Sequence, residues 1–236
     1  MNKTALILGL CLTGSAFAVT NTSTTDNAGD SSKMELSRWS VGIGSVFLQA
    51  PNRNKGTDRL HGLGVELQRE IKLQNGLSTN TIANISVFSN DENDTETYSD
   101  GSVYKNNYEV NMRNITISQS ITKNISTKLG TVSMGGSLGL TELRSEGKNT
   151  YSDTGTDYNS SGSYTSEYKA YGQTIGVLAS LKLNNGIMPF VSYRTTSFND
   201  FSMSAESESS GITQKGSFKV KDIDVQAVSV GVGYKF

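Results

Sequence analysis

The chain has 236 residues, 21 basic against 22 acidic, a net charge of −1 and 35% apolar content. That balance lacks the clustered positive charge that nucleic acid requires. Its 24 glycines and two prolines suit strands and turns better than helices, and no stretch beyond residue 18 has the run of apolar residues a membrane-spanning helix needs.

Residues 1–18 read as a secretory signal peptide. Lys3 supplies the positive start, Ala5 to Leu12 the apolar core, and Ala16-Phe17-Ala18 the cleavage site. Leu10 stands before Cys11 where a lipidated cysteine wants glycine or alanine, so lipidation is not expected. Cleavage removes Lys3 and Cys11, leaving 20 basic residues to 22 acidic and no cysteine for a disulfide. Val19 to Glu35, rich in Ser, Thr, Asn and Asp, reads as a disordered periplasmic leader.

From Leu36 the chain alternates bulky apolar with small or polar residues. In a strand such alternation separates two faces. The first strand places Trp39, Val41, Ile43 and Phe47 on one face. The second places Leu63, Val65, Leu67, Ile71 and Leu73 against Gly64, Glu66, Gln68 and Glu70. Arg69 interrupts its apolar row, as a long side chain can at a membrane edge. Asn75-Gly76 makes a tight hairpin. The third strand, Leu77 to Phe88, sets Thr79, Thr81, Ala83, Ile85 and Val87 against Asn80, Asn84 and Ser86. In the fourth, about Asn107 to Ile121, Ile115, Ile117 and Ile121 are in phase while Tyr108, Val110 and Met112 are not. That break predicts a bulge near Arg113 or an inward apolar patch above it.

A short turn is expected at Thr122-Lys123-Asn124. The fifth strand, about Ile125 to Leu143, aligns Val132, Met134, Leu138 and Leu140. The sixth, about Tyr164 to Leu183, aligns Tyr171, Ile175, Val177, Ala179, Leu181 and Leu183. Asn184-Asn185-Gly186 is the third tight turn. Val191 and Tyr193 mark the seventh strand. The eighth closes the chain with Val228, Val230, Val232, Tyr234 and Phe236 on one face and Ala227, Ser229, Gly231, Gly233 and Lys235 on the other.

Three short turns alternate with long polar loops at about 50–59, 89–107, 144–165 and 199–217. Residues 36–236 are therefore expected to form an all-β fold, an eight-stranded antiparallel up-and-down transmembrane β-barrel with four extracellular loops. A lipocalin-like secreted barrel would need an apolar interior, and the second face of most strands here is polar. Trp39 and Tyr234 suit an aromatic girdle.

An eight-stranded interior is just wide enough for its own side chains. Glu66, Gln68, Glu70, Lys182 and Arg194 are thus expected to form a paired polar network in the lumen, since buried charges persist only when paired. Enzymatic barrels depend on a histidine beside a nucleophile or acid. The one histidine, His61, shares the parity of Leu63 and Val65 and has no serine or acid at motif spacing, so no catalytic residue is expected. Asp91-Glu92-Asn93-Asp94-Thr95-Glu96 lacks the glycine and spacing of a calcium loop and reads as a solvated acidic loop, so neither a metal nor a cofactor is expected. The second and third loops are acidic, whereas the first carries Arg53, Lys55 and Arg59. Tyr98, Tyr104, Tyr151, Tyr158 and Tyr164 lie among small polar residues, a composition suited either to recognition or to decorating strands above the membrane.

The start Trp39-Ser40-Val41-Gly42-Ile43-Gly44, the hairpin from Gly62 through Asn75-Gly76 to Phe88, and the ending Val230-Gly231-Val232-Gly233-Tyr234-Lys235-Phe236 resemble the Ail/Lom/OmpX family of small outer-membrane proteins. The likeness covers the layout from Leu36 to Phe236. Opacity-type adhesins and the OmpA-like barrel share that layout. The resemblance implies a Gram-negative outer-membrane protein whose terminal aromatic strand (Val228, Val230, Val232, Tyr234, Phe236) is read by the barrel-assembly machinery. It also implies contact with outer-membrane lipid and lipopolysaccharide, and loops that bind host surface, matrix or serum proteins. No loop motif carries over, so binding residues stay unassigned. A structural envelope protein without a dedicated ligand, or a narrow-pore porin, are the alternative readings.

Overall fold

The structure is a computed structural model that describes residues 38–52, 56–155, 159–209, 211–221 and 223–236. Ten antiparallel strands follow one another: β1 (Arg38–Asn52), β2 (Gly56–Lys72), β3 (Leu77–Thr97), β4 (Val103–Ser126), β5 (Gly130–Thr154), β6 (Asn159–Leu183), β7 (Ile187–Phe198), β8 (Phe201–Ser209), β9 (Ile212–Val220) and β10 (Ile223–Lys235). Eight of them, β1 to β7 and β10, close into a ring, with β1 paired to β10 and β5 to β6. The fold is an all-β, up-and-down barrel. The proposed signal peptide and leader lie outside the described residues. Among those described, no helix is long and apolar enough to cross a membrane, which says nothing of a crossing by strands.

Register fixes the shape of the ring. Following direct partners once around from Arg38 leads through Glu70, Asn80, Ser120, Ser137, Gly176, Arg194 and Ala227 to Leu48, ten residues further along β1. A stagger of ten over eight strands, with about 3.3 Å per residue and about 4.8 Å between strands, tilts the strands by about 40°.

The remaining two strands continue others. Gly172 of β6 pairs with Phe198, and Tyr168, four residues back, pairs with Met203, five residues on, so β8 prolongs β7 after a one-residue bulge at Asn199–Asp200. The pairs Phe198–Ile223 and Phe201–Val220 keep one register. β7–β8 and β9–β10 are therefore the two arms of a single long hairpin.

The alternation sorts side chains as lipid would require. Val41, Ile43, Leu63, Val65, Ile85, Ile117, Ile121, Leu138, Ile175, Val177, Val230 and Val232 point outward and are exposed, while Ser40, Gln68, Glu70, Asn80, Asn84, Ser118, Ser120 and Ser133 point inward and are buried. Arg69 lies over the Trp39 ring, 5.8 Å from its centroid, at the edge of this band. At the first hairpin Asn75 and Gly76 both adopt left-handed backbone, φ 60° and 69°.

Two expectations need correction, and a third is decided between its alternatives. The second turn is Thr127–Gly130, closed by Thr127 N–H to the Gly130 carbonyl at 2.7 Å, and not Thr122-Lys123-Asn124. Thr122 is a buried inward residue, and β4 keeps its phase through Ile125, so β5 begins at Gly130. No bulge occurs at Arg113, because β3–β4 and β4–β5 pair without interruption through it. The second possibility holds instead: Met112 packs inward against an apolar cluster. Finally, the long segments expected as loops are mostly sheet. β3 runs to Thr97, β4 starts at Val103, β5 runs to Thr154, and residues 199–217 contain most of the β8–β9 arm.

Candidate functional site: a filled lumen beneath a tyrosine-lined sheet

The lumen is built in layers. At the end where the chain turns tightly, Glu70 of β2 receives Lys182 Nζ of β6 at 2.6 Å and Lys235 Nζ of β10 at 3.2 Å. Beside it Gln68 donates to Asn80 at 2.6 Å, and Asn80 donates to Ser120 and Thr122 at 3.2 and 3.1 Å. Asn124 donates to Ser78 and accepts from Ser133, both at 2.6 Å.

One layer on, Arg194 of β7 donates to Ser229 at 3.1 Å and faces the Glu66 carboxylate at 4.0 Å. The hydroxyls of Thr116, Thr141, Thr174 and Thr196 form a chain across β4 to β7, with separations of 2.9, 2.6 and 2.7 Å. Hydroxyls accept and donate at once, so such a chain satisfies itself in a dry interior. Glycine makes room beside Phe190: a Cβ at Gly42 or Gly231 would stand 2.9 or 2.6 Å from its ring. All five residues expected in the polar network are thus inside, as two clusters. Glu70 and Lys182 meet directly, Gln68 joins Asn80, and Glu66 and Arg194 meet one layer higher.

Toward the long-loop end the lumen becomes apolar. Val46, Leu48, Phe88, Leu143, Ala170, Phe198 and Val225 form one buried cluster, with Leu60 and Met112 against it. Every strand of the ring contributes to this layer, which crosses the whole bore. The pocket at the Glu66–Arg194 layer beneath it holds about 20 Å³, roughly one water molecule. Sequence reasoning missed this seal except for the Met112 signal, because each strand supplies only one or two of its residues.

Above the seal the barrel is incomplete. β1 and β2 stop at the Asn52–Gly56 pair, while β3, β4, β5, β6, β8 and β9 continue pairing as a wall, to Thr97–Val103, Thr154–Asn159 and Ser209–Ile212. Its inner face, in phase with the lumen, carries Tyr104 and Tyr108 (β4), Tyr151 (β5) and Tyr164 and Tyr168 (β6). Glu92 and Glu96 stand directly opposite Tyr108 and Tyr104. Tyr168 stacks on Phe201 at 5.0 Å, and Tyr151 donates to Ser209 at 3.3 Å. Lys105, Lys148, Lys169, Lys215 and Lys219 all have outer-face parity. The wall therefore has a tyrosine-rich, anionic inner face and a lysine-bearing outer one. Tyr98 sits in the β3–β4 turn, where Glu96 raises its phenol, while the Ser102 hydroxyl and amide hold the Asp100 carboxyl below its ordinary value. Tyr158 lies outside the described residues, as do the side chains of Arg53, Lys55 and Arg59.

His61 is exposed and stacks on the Phe47 ring at 4.9 Å. Among the described residues no three His, Cys, Asp or Glu side chains converge as metal ligands. Val228, Val230, Val232, Tyr234 and Phe236 form an outward row on β10, and Lys235 N–H bonds the Gly186 carbonyl beside them.

No protein-family model matches the chain, and no curated sequence is similar to it. Solved structures share its layout. A major outer membrane protein from Thermus thermophilus is 14% identical with a TM-score of 0.51, over 85% of this chain and 99% of that one. Ail, the attachment invasion locus protein of Yersinia pestis, is 14% identical over 84% and 98%, TM-score 0.44. OprG from Pseudomonas aeruginosa is 12% identical over 88% and 99%, TM-score 0.42. Likeness at such identities is one of fold. The chain has the fold of small outer-membrane β-barrels, the fold that the resemblance in its sequence implied.

Proposed function

We propose that the protein is a surface protein of the Gram-negative outer membrane, exported by its cleaved signal peptide and inserted by the barrel-assembly machinery, with the outward closing-strand row Val228, Val230, Val232, Tyr234 and Phe236 as its assembly signal. Its activity is adhesion or host interaction through the wall above the membrane. The observation that carries this reading is the sorting of the wall. Five tyrosines and the carboxylates of Glu92, Asp94, Glu96 and Asp153 share the inner face, and among the described residues no lysine or arginine shares it. Tyrosine offers large contact area at low entropy cost, and serine, glycine and asparagine adapt around it. Such a face suits a host matrix or serum protein that presents basic side chains.

Conduction fits poorly. An apolar layer contributed by all eight strands lies across the bore, and the pocket at the Glu66–Arg194 layer beneath it holds only about 20 Å³. The polar clusters around Glu70 and Arg194 serve to hold the barrel rigid.

Replacing residues 148–165 by a two-residue turn shortens the wall between the partners Gly147 and Ser166. Binding of bacteria expressing this variant to host cells or matrix should fall to background, while the shift in gel mobility on heating persists. The combined substitution Tyr104→Ser, Tyr108→Ser and Tyr164→Ser should do the same with the wall intact. Full binding by both variants would remove the wall as the recognition element and favour the structural-envelope reading.

A further inference from the structure

We infer that the tight-turn mouth of the barrel binds a small anion bearing two or more carboxylate or phosphate groups. This site lies at the opposite end of the molecule from the tyrosine-lined wall. Only the side from which the anion enters, the periplasm, rests on the membrane-barrel reading above.

The space at this mouth is about 630 Å³, within the range of small-molecule sites. The pocket further in, at the Glu66–Arg194 layer, holds about 20 Å³. The bore thus narrows steeply inward, and the mouth has the form of a cup.

Charge is sorted within the cup. Arg38 of β1, Lys72 of β2, Lys182 of β6 and Lys235 of β10 line it, and Glu70 is the one acidic side chain among its described lining residues. All four cations have inward parity. Arg38 pairs directly with Glu70, and Lys72 lies two residues further along β2. Lys235 pairs with the buried Ser40, and Lys182 with Thr131, two residues from the buried Ser133.

Lys182 reaches Glu70 across the bore, from β6 to β2. Glu70 Oε1 accepts from Lys182 at 2.6 Å and Oε2 from Lys235 at 3.2 Å. An ammonium has three donors, so both lysines keep donors beyond those that Glu70 accepts. Buried charge persists when it is paired, and here two ammonium groups, that of Lys182 buried, share one carboxylate. A cleft lined by one sign of charge between low-dielectric walls concentrates ions of the other sign. The far side of the cup adds neutral hydrogen-bonding groups from Asn124, Ser126 and Thr131.

The same parity argues against a phospholipid headgroup as the occupant. Lipid surrounds the barrel on its outer face, where Lys123 lies in register with the outward Met134, whereas the four cup cations point into the bore. A lone monovalent ion would leave most of the volume and most of the charge unanswered.

The test titrates the full-length mature barrel in phosphatidylcholine nanodiscs, at low ionic strength, with pyrophosphate and separately with citrate. Backbone amide resonances provide the readout. Saturable shifts should appear at Lys72, Lys182, Gly186 and Lys235, with none at Ser102 in the wall, and the affinity should fall as salt is raised. Acetate should bind more weakly than either. Arg38→Gln with Lys72→Gln should weaken binding about tenfold or more, as loss of charge-assisted hydrogen bonds does, while both bonds to Glu70 remain. Lys123→Gln with Lys128→Gln should leave binding unchanged. Tighter binding of citrate than of pyrophosphate assigns the cup to carboxylates, such as those of cell-wall peptides, and the reverse order assigns it to phosphates.

Equal shifts with chloride at matched ionic strength overturn the site, as does undiminished affinity in the Arg38/Lys72 double variant. Loss of pyrophosphate binding when phosphatidylglycerol replaces part of the phosphatidylcholine would give the cations to headgroups and overturn it too. Each protein is first checked for its heat-dependent shift in gel mobility. Absence of that shift in the wild type would overturn the membrane-barrel reading, whereas the titration judges the cup alone.

Discussion

The barrel and the wall above it are made of the same strands in the same register, yet they obey different rules. Below the seal, one face must be apolar and the other satisfied in a closed bore, so a slip by one residue would put Glu70 into lipid and Val65 into the lumen. Above it both faces meet water, and slipping costs little beyond the ladder itself. β5 shows the change within one strand: Met134 and Leu138 point outward below, Glu146 and Lys148 above. Constraint ends where the apolar outer band ends, and the tyrosine-rich face begins there.

Charge pairs offer the largest contrast. Glu70→Gln leaves Lys182 and Lys235 facing each other in a bore where Glu70 is 4% exposed. Breaking one partner of a buried pair costs about 3–5 kcal/mol, so urea unfolding in detergent should move to much lower denaturant, or the folded band should vanish. Glu206→Gln breaks the Lys215–Glu206 pair of the wall, whose side chains are 73% and 46% exposed. That loss should stay within about 1 kcal/mol. Similar losses at both sites would erase the distinction between the two regions.

The seal sharpens the same contrast by packing. Leu48 is 1% exposed within the apolar layer, and Leu48→Ala should cost about 2–5 kcal/mol by transfer and cavity terms. Phe218 of β9 is 55% exposed, so Phe218→Ala should change stability by about 0.5 kcal/mol or less. Planar-bilayer recordings of the wild type should show no discrete conductance steps. Steps that persist in a homogeneous preparation would mean the seal does not close the bore.

What the sequence disclosed follows from this division. The eight crossings were legible because lipid imposes a two-residue contrast, as in Val228, Val230 and Val232 against Ser229, Gly231 and Gly233. The turn after β4 was misplaced because Lys123-Asn124 looks like a turn, while Ile125 kept the outward phase unbroken. The upper halves of β3 to β6 read as loops because Ser, Thr, Asn, Glu and Tyr on both faces give no hydropathy contrast. Their strand character comes from the ladder below, which continues upward without interruption. Outward neighbours such as Arg113, Arg144 and Lys169 were invisible for another reason: they are distant in sequence and meet only through register.

The smallest expected effect lies at the tip of the wall, where a single side chain sets a turn. Asp100 accepts the Ser102 hydroxyl at 2.6 Å and the Ser102 amide at 2.9 Å. These bonds lower its carboxyl below the free value of 3.8, since they favour the charged form. A depressed value means that the turn's support is full above the free-acid value and is lost as pH falls through the lower, folded one. The Ser102 amide resonance should therefore titrate with a midpoint below that of a peptide spanning 97–103, and Asp100→Asn should abolish that titration while leaving the barrel's unfolding unchanged. A midpoint at or above the peptide's would show the tip to be unordered in solution, and the independence of wall from barrel would then begin lower down, at the seal.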